Sequence, residues 1–403
     1  MRVRALAGIF VAAVIVIGGV FAVLQFRRSG QDLSSVSAVQ SSNQPAEVPR
    51  TITSSAKPAP LVTGCPDPAQ LAQMPLRDKL AQLLMVGVTG EDDARAVVDN
   101  YHVGGLFIAS WTDLSMLTSG ELMRLATSTA PLPLAVSVDE EGGRVSRLSG
   151  LIGVSPSART LAQSESPEQV YQLALNRGRA MRELGINVDF APVVDVSDAP
   201  DNTVIGDRSF SSNADVVTQY AGAYARGLHD AGLLPVLKHF PGHGRASGDS
   251  HMNGVVTPPL DQLQQSDLVP YRTLISEFPV GVMVGHMQVP GLTGEDQASL
   301  SQPAITLLRN GTGYGGPAFP GLIFTDDLST MKAITDRYGV ADAVLRSLQA
   351  GADVALWVST GEVPAVLNRL ESAVNAGELN TAGVDAALAR VAAAKAPLAG
   401  CFR

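Results

Sequence analysis

No lysine- or arginine-rich tract occurs in this 403-residue sequence, and its 29 basic side chains are outnumbered by 38 acidic ones, for a formal net charge of -9. Nothing in that pattern would track a phosphate backbone, which argues against nucleic acid as a partner. Cysteine is scarce as well. The two present, Cys65 and Cys401, are either unrelated thiols or one bridge pinning the two margins of the folded region. In the chain-entropy account such a bridge withdraws roughly a few kcal/mol from the unfolded chain, and it needs an oxidising compartment. No repeat longer than a supersecondary rhythm is visible. Charged residues are only 17% of the chain and apolar ones 45%, enough to fill a buried core.

The N-terminus stands apart. Ala5 to Phe26, "ALAGIFVAAVIVIGGVFAVLQF", is an uncharged apolar run long enough to cross a bilayer as a helix. Arginines flank it on both sides, at 2, 4, 27 and 28, so charge asymmetry does not orient it. Its length and the lack of a small-residue exit site favour an uncleaved signal anchor over residues 1–28, with a cleaved signal peptide as the alternative. Residues 29–64, rich in Ser, Gln, Pro and Ala, cannot bury enough surface to offset chain entropy and read as a disordered tether. Anchor, tether and cysteine pair agree on an exported, cell-surface protein, membrane-anchored or secreted if the segment is cleaved.

Over residues 65–403 short apolar runs alternate with amphipathic ones. The strand candidates are Gln82–Val88, Val103–Ala109, Leu132–Asp139, Ile186–Val196, Leu233–Phe240, Val280–Met287, Gly321–Asp327 and Val354–Ser359. Near-continuous apolar runs of this length suit strands covered on both faces, as in a parallel sheet. Helices between them carry start signals: Ser166 followed by Pro167, and Asn213, with stops at Gly185 and Gly232. Eight such units predict a single (β/α)8 TIM-type barrel. A doubly wound open sheet is the competitor. Five strands end in titratable groups: Asp139 with Glu140, Asp195, Lys238 with His239, His286, and Asp326 with Asp327. A barrel gathers these ends around one mouth, whereas an open sheet spreads them along a line, so the barrel is preferred.

The segment "KHFPGHGRASGDSHMNG", Lys238 to Gly254, follows the fifth strand. Its glycines make it supple, and Asp249 beside His251 forms a pair able to exchange protons near neutral pH. Three readings stay open for His239, His243, Asp249 and His251: acid/base groups, metal ligands, or structural histidines bonding backbone carbonyls. No tight spacing of the kind seen in helical metal motifs selects the second. Of Asp326 and Asp327, one is a candidate nucleophile, base or ligand, while the other caps the helix that follows. Asp139 is placed to accept hydrogen bonds from a polyhydroxylated ligand, with Arg144 in support. Arg208 either serves the mouth or pairs with Asp207.

Five blocks, "VDEEGGRVSRL", "FAPVVDV", "NTVIGDRSFS", "KHFPGHGRASGDSH" and "IFTDDLSTMKAI", run in order over about residues 75 to 345. Together they resemble glycoside hydrolase family 3, in particular its bacterial β-N-acetylglucosaminidases of the cell-wall recycling type. The resemblance implies a (β/α)8 barrel, retention of configuration, and no cofactor or metal. It implies Asp326 as nucleophile and His251, oriented by Asp249, as acid/base. Asp139, Arg208, Lys238 and His239 would bind the sugar, with Arg144, His243 and His286 as possible supports. The implied partner is a glycan, an N-acetylglucosamine-containing muropeptide, handled by a monomer. Related alternatives are a β-glucosidase and a phosphorylase. More distant ones are a metal-dependent hydrolase and a non-catalytic sugar-binding surface protein. Two departures stand out: Glu140 where relatives commonly carry glutamine, expected to alter sugar contacts slightly, and the additional Thr330 past the nucleophile, expected to leave it in place.

Overall fold

The computed structural model of the chain describes residues 68–128, 132–399 and 401. The expected anchor (1–28), the tether (29–64) and Cys65 lie outside the described residues, and with them the proposed Cys65 to Cys401 bridge. Among the described residues no helix is long and apolar enough to cross a membrane.

Each of the eight predicted runs contains a strand: β1 (Leu84–Val88), β2 (Gly105–Ile108), β3 (Ala135–Val138), β4 (Val188–Asp189), β5 (Leu234–Phe240), β6 (Gly281–Val284), β7 (Ile323–Thr325) and β8 (Ala355–Trp357). They form one parallel sheet in the order β7-β6-β5-β4-β3-β2-β1-β8. The seam between β7 and β8 is thinner, a parallel bridge of Phe324 with Val354, backed by the Thr325 N–H on the Val354 carbonyl at 3.0 Å. The result is a nearly closed eight-stranded barrel of the TIM type, not an open sheet.

Packing explains the ring. Phe190 stands 5.9 Å from Phe107 and 5.5 Å from Phe324, centroid to centroid. These rings come from or beside β4, β2 and β7, strands that are not neighbours, and they meet through the barrel interior. Gly281 makes room for this layer, since a Cβ there would lie 2.9 Å from the Phe324 ring. Ser166 caps its helix (Pro167–Glu183) in a full capping box with Gln169, and Asn213 caps Ala214–Asp230 through the N–H groups of Asp215 and Val216. Both helices stop before glycines with positive φ, Gly185 and Gly232.

The fourth run departs from expectation. It was predicted as strand through Val196, but the regular strand stops at Asp189, and Pro192 interrupts the ladder because it has no N–H to donate. Asp195 therefore sits beyond the strand, on backbone that rejoins β5 through a Val193 to Lys238 bridge.

Candidate active site

At the end of β3 the chain alternates, so Asp139 and Glu141 face one way and Glu140 the other. Lys238 of β5 meets both members of the first pair: its Nζ lies 2.6 Å from Asp139 Oδ1 and 2.6 Å from Glu141 Oε1. The register of β5 against β6 slips between Lys238 and Phe240, and His239 also serves the mouth. Arg208, on the short turn Gly206–Arg208, forms a two-pronged pair with Glu141, both contacts at 2.8 Å. Burial would raise the Glu141 pKa, but Arg208 and Lys238 together hold it well below the carboxylate range. Burial likewise opposes the Lys238 charge, and Asp139 and Glu141 overcome it and raise its pKa.

His239 Nδ1 is 2.7 Å from Asp195 Oδ2, and the His243 N–H donates to Asp195 Oδ1 at 2.6 Å. Asp195 is fully buried, and these imidazoles, His239 foremost, depress its pKa against the pull of burial. On the far side of the ring, Nε2 of His239 lies 3.5 Å from Arg208. Asp139, Glu141, Asp195, Arg208, Lys238 and His239 thus form one continuous charged cluster.

The two aspartates after β7 have separate tasks. Asp327 accepts from the backbone N–H of Ser329 at 2.8 Å and of Thr330 at 3.0 Å, so it is the capping member. Thr330 takes part through its hydroxyl too, and the additional residue is absorbed in this turn. Asp326 is left to the mouth. Burial would raise its pKa, yet His286, His239, the Asp327 N–H and His251 outweigh that and hold it at about 2. It is a half-buried carboxylate held in its ionised form.

His251 Nδ1 lies 2.8 Å from Asp249 Oδ1, and its backbone N–H reaches the same oxygen at 2.9 Å. Burial works to raise the Asp249 pKa, but these contacts lower it. The loop that carries the pair is pinned at several points. Ser250 Oγ meets His243 Nε2 at 3.1 Å. The carbonyls of Ser250 and His251 accept from Ala333 (3.2 Å) and Lys332 (3.4 Å), just past Asp326 in the chain. Val255–Val256 then pairs with Met287–Gln288 beyond β6. Two glycines read as supple serve close packing instead: a Cβ on Gly242 would strike Asp267 at 2.3 Å, and one on Gly244 would strike the Val196 carbonyl at 2.2 Å.

Two placements differ from expectation, those of Arg144 and Glu140. Arg144 does not reach Asp139; it pairs with Asp207 at 2.8 Å and caps the carbonyls of Val204 and Ile205, which leaves Arg208 free of Asp207. His286 is fully buried, between Ser299 Oγ at 2.7 Å and the Asp327 carbonyl at 2.8 Å, and burial lowers its pKa. Glu140 points away from the mouth into a buried pair with Arg177 at 2.5 Å, so its replacement of glutamine does not touch the sugar side. The sequence reading missed Glu141 and Arg147. Arg147 stands 3.9 Å from Asp139, and its buried Nε has no hydrogen-bond partner. The period of two after β3 was the signal that would have paired Glu141 with Asp139. Among the described residues no three His, Cys, Asp or Glu side chains converge as metal ligands would.

A barrel mouth with a half-buried ionised carboxylate, an Asp-bound imidazole on a crossing loop and a charged polar floor fits a glycoside hydrolase. Residues 75–394 match the glycosyl hydrolase family 3 N-terminal domain, and the chain belongs to that family as a β-hexosaminidase. It is 64% identical over 358 residues to Beta-hexosaminidase LpqI of Mycobacterium tuberculosis, covering 87% of this chain and 92% of the relative. A crystal structure of a family 3 glycosyl hydrolase from Mycobacterium smegmatis superposes with a TM-score of 0.80 at 70% identity, covering 81% of this chain and 98% of that one. The family 3 β-N-acetylglucosaminidase of a Paenibacillus superposes with a TM-score of 0.75 at 33% identity, covering 82% and 64%.

Proposed function

We propose that this β-hexosaminidase is a retaining exo-β-N-acetylglucosaminidase that releases terminal β-linked N-acetylglucosamine from peptidoglycan fragments. Asp326 attacks the anomeric carbon and forms a covalent glycosyl-enzyme. His251, aligned by Asp249, protonates the departing oxygen and later draws a proton from the water that releases the sugar. Asp139, Arg208, Lys238 and His239 take the sugar hydroxyls, with Arg147 beside Asp139. Closure of the loop bearing His251 completes the site once substrate is bound. The observation that carries this reading is the division of labour after β7: Asp327 is taken up by the turn at Ser329 and Thr330, which leaves the half-buried Asp326 to the mouth with its pKa held down at about 2, and a nucleophile must be charged when the sugar arrives. The name of the Paenibacillus relative supports the substrate.

The protein acts outside the cytoplasm as a monomer, tethered by its N-terminal segment, with Cys65 and Cys401 bonded. The test is release of a chromophore from an aryl β-N-acetylglucosaminide by the full chain, with and without phosphate, with NMR of the first-formed anomer. Expected results are a β product, no phosphate dependence, and loss of at least about a thousandfold in Asp326→Ala, as for removal of a covalent nucleophile. An α product would overturn retention, and a phosphorylated sugar would overturn hydrolysis.

A further inference from the structure

Of the three histidines in the segment after β5, His243 is the one to which the proposed mechanism gives no task. It is buried, and its Nδ1 has no hydrogen-bond partner among the described residues. Its Nε2 meets Ser250 Oγ at 3.1 Å. A buried polar atom left unpaired costs stability that an apolar side chain of similar size would not. The bond to Ser250 is what this imidazole supplies and such a side chain would not.

Ser250 lies between the two members of the dyad. The side chains of Asp249 and His251 bond each other and are 40% and 56% exposed, whereas Ser250 is turned inward and only 1% exposed. Among the described residues it alone of the three bonds through its side chain to a residue outside the tripeptide. Its partner is held firmly. Gly242 and Gly244, on either side of His243, pack too closely on Asp267 and Val196 to admit a Cβ. Asp195 takes the His243 N–H at 2.6 Å and the His239 ring at 2.7 Å. The loop bearing His251 is thereby joined, through Ser250, His243 and Asp195, to a histidine of the sugar-binding floor. In this arrangement His251 is one of the groups whose charge lowers the Asp326 pKa.

We propose that the bond between His243 and Ser250 is the clasp that seats this loop over the mouth and sets the direction from which His251 delivers its proton. Both are positioning residues, acting through His251 and not on the sugar. The proposal rests on the function above. With the clasp broken, the N–H groups of Ala333 and Lys332 still hold the carbonyls of Ser250 and His251, so the loop stays near the barrel. The dyad, however, loses the side-chain contact that fixes where it lies.

The experiment measures kcat/KM of the full chain, wild type and Ser250→Ala, on the dinitrophenyl and phenyl β-N-acetylglucosaminides. On the phenyl glycoside, whose departing oxygen needs the proton, Ser250→Ala is expected to lose about ten- to a hundredfold, as for a misplaced catalytic group. On the dinitrophenyl glycoside, which departs with little help, the loss is much smaller. His243→Leu shows the same split, and His243→Gln, which keeps a polar group for Ser250 to bond, recovers part of it. Introduced into His251→Ala, Ser250→Ala costs nothing further, because no imidazole is left to seat. Equal losses on the two glycosides, or a loss that persists in the His251→Ala background, would make Ser250 a merely structural residue and overturn the clasp. A split in His251→Ala with none in Ser250→Ala defeats this inference alone, whereas no split in His251→Ala defeats the reading beneath it.

Discussion

His286 holds the carbonyl of the residue after Asp326: its Nε2 donates to the Asp327 carbonyl at 2.8 Å. A carbonyl only accepts, so Nε2 carries a proton, and Nδ1 meets the Ser299 hydroxyl at 2.7 Å. Both ring nitrogens are thus engaged, and burial lowers the ring's pKa. Its task is to position Asp326. His286→Ala strands a buried carbonyl and a buried hydroxyl, at about 1–3 kcal/mol for each unpaired group, and frees the Asp326 backbone to shift. Lower kcat with little change in KM is expected, alongside a reduced midpoint in urea unfolding. A variant with wild-type kcat would show that the Asp326 backbone is held without His286.

The dyad yields a sharper kinetic signature. On the proposed mechanism the departing oxygen loses its proton donor with His251, and loss of general acid catalysis costs about a hundred- to ten-thousandfold. The penalty scales with the basicity of the leaving group. His251→Ala is expected to hydrolyse a dinitrophenyl glycoside far better than an unsubstituted phenyl one, relative to wild type. Asp249→Ala keeps the imidazole but loses the contact at 2.8 Å that aligns it, and falls between the two. Equal losses on both leaving groups in His251→Ala would show that the proton comes from another residue.

Strand positions were legible because all eight runs are apolar on both faces, a pattern that barrel closure demands. The convergence of Asp139, Lys238, His239 and Asp326 followed from their places at strand ends. Three features were not legible. Arg144 and Arg208 lie on loops where either could have taken Asp207, and the choice depends on how the turn at Gly206–Arg208 folds. Asp326 and Asp327 are chemically identical and adjacent, so only the turn formed by Ser329 and Thr330 separates cap from nucleophile. Asp195 was placed at a strand end because its surroundings are apolar, yet Pro192 had already ended the ladder.

Arg208 joins the two halves of the charged cluster. Its fork neutralises a Glu141 that is almost completely buried, and breaking a buried pair from one side costs about 3–5 kcal/mol. Lys238 remains on Glu141 at 2.6 Å, which places Arg208→Ala at the lower end of that range. Arg208→Lys keeps the charge but not both parallel contacts. Chemical denaturation should rank the three proteins wild type, Arg208→Lys, Arg208→Ala, and KM for the aryl glycoside should rise in the same order. Wild-type stability in Arg208→Ala would mean that Lys238 alone satisfies Glu141.

Lys395 governs a different property, far along the chain from the mouth residues. The last residue of the helix Thr381–Lys395, it is buried and donates to the Gly104 carbonyl at 2.6 Å and to Gln82 Oε1 at 3.2 Å. No opposite charge offsets its burial, which pulls the pKa from 10.5 down to about 7. The unfolded lysine keeps its proton up to about 10.5, while the folded one releases it near 7. Between those values the unfolded state binds more protons, so stability rises with pH through that window. Below it both states are protonated and the full burial penalty applies. The gap corresponds to about 5 kcal/mol at most, at about 1.4 kcal/mol for each pH unit, and relaxation around the ammonium reduces it. Lys395→Met removes the titration; the Gly104 carbonyl keeps the Ala135 N–H at 3.0 Å, while Gln82 Oε1 loses its donor, a cost that does not vary with pH. Urea unfolding at pH 6.5 and 9.5 should therefore show wild type gaining stability at the higher pH and the variant gaining less. An equal gain in both would assign the pH dependence to another group.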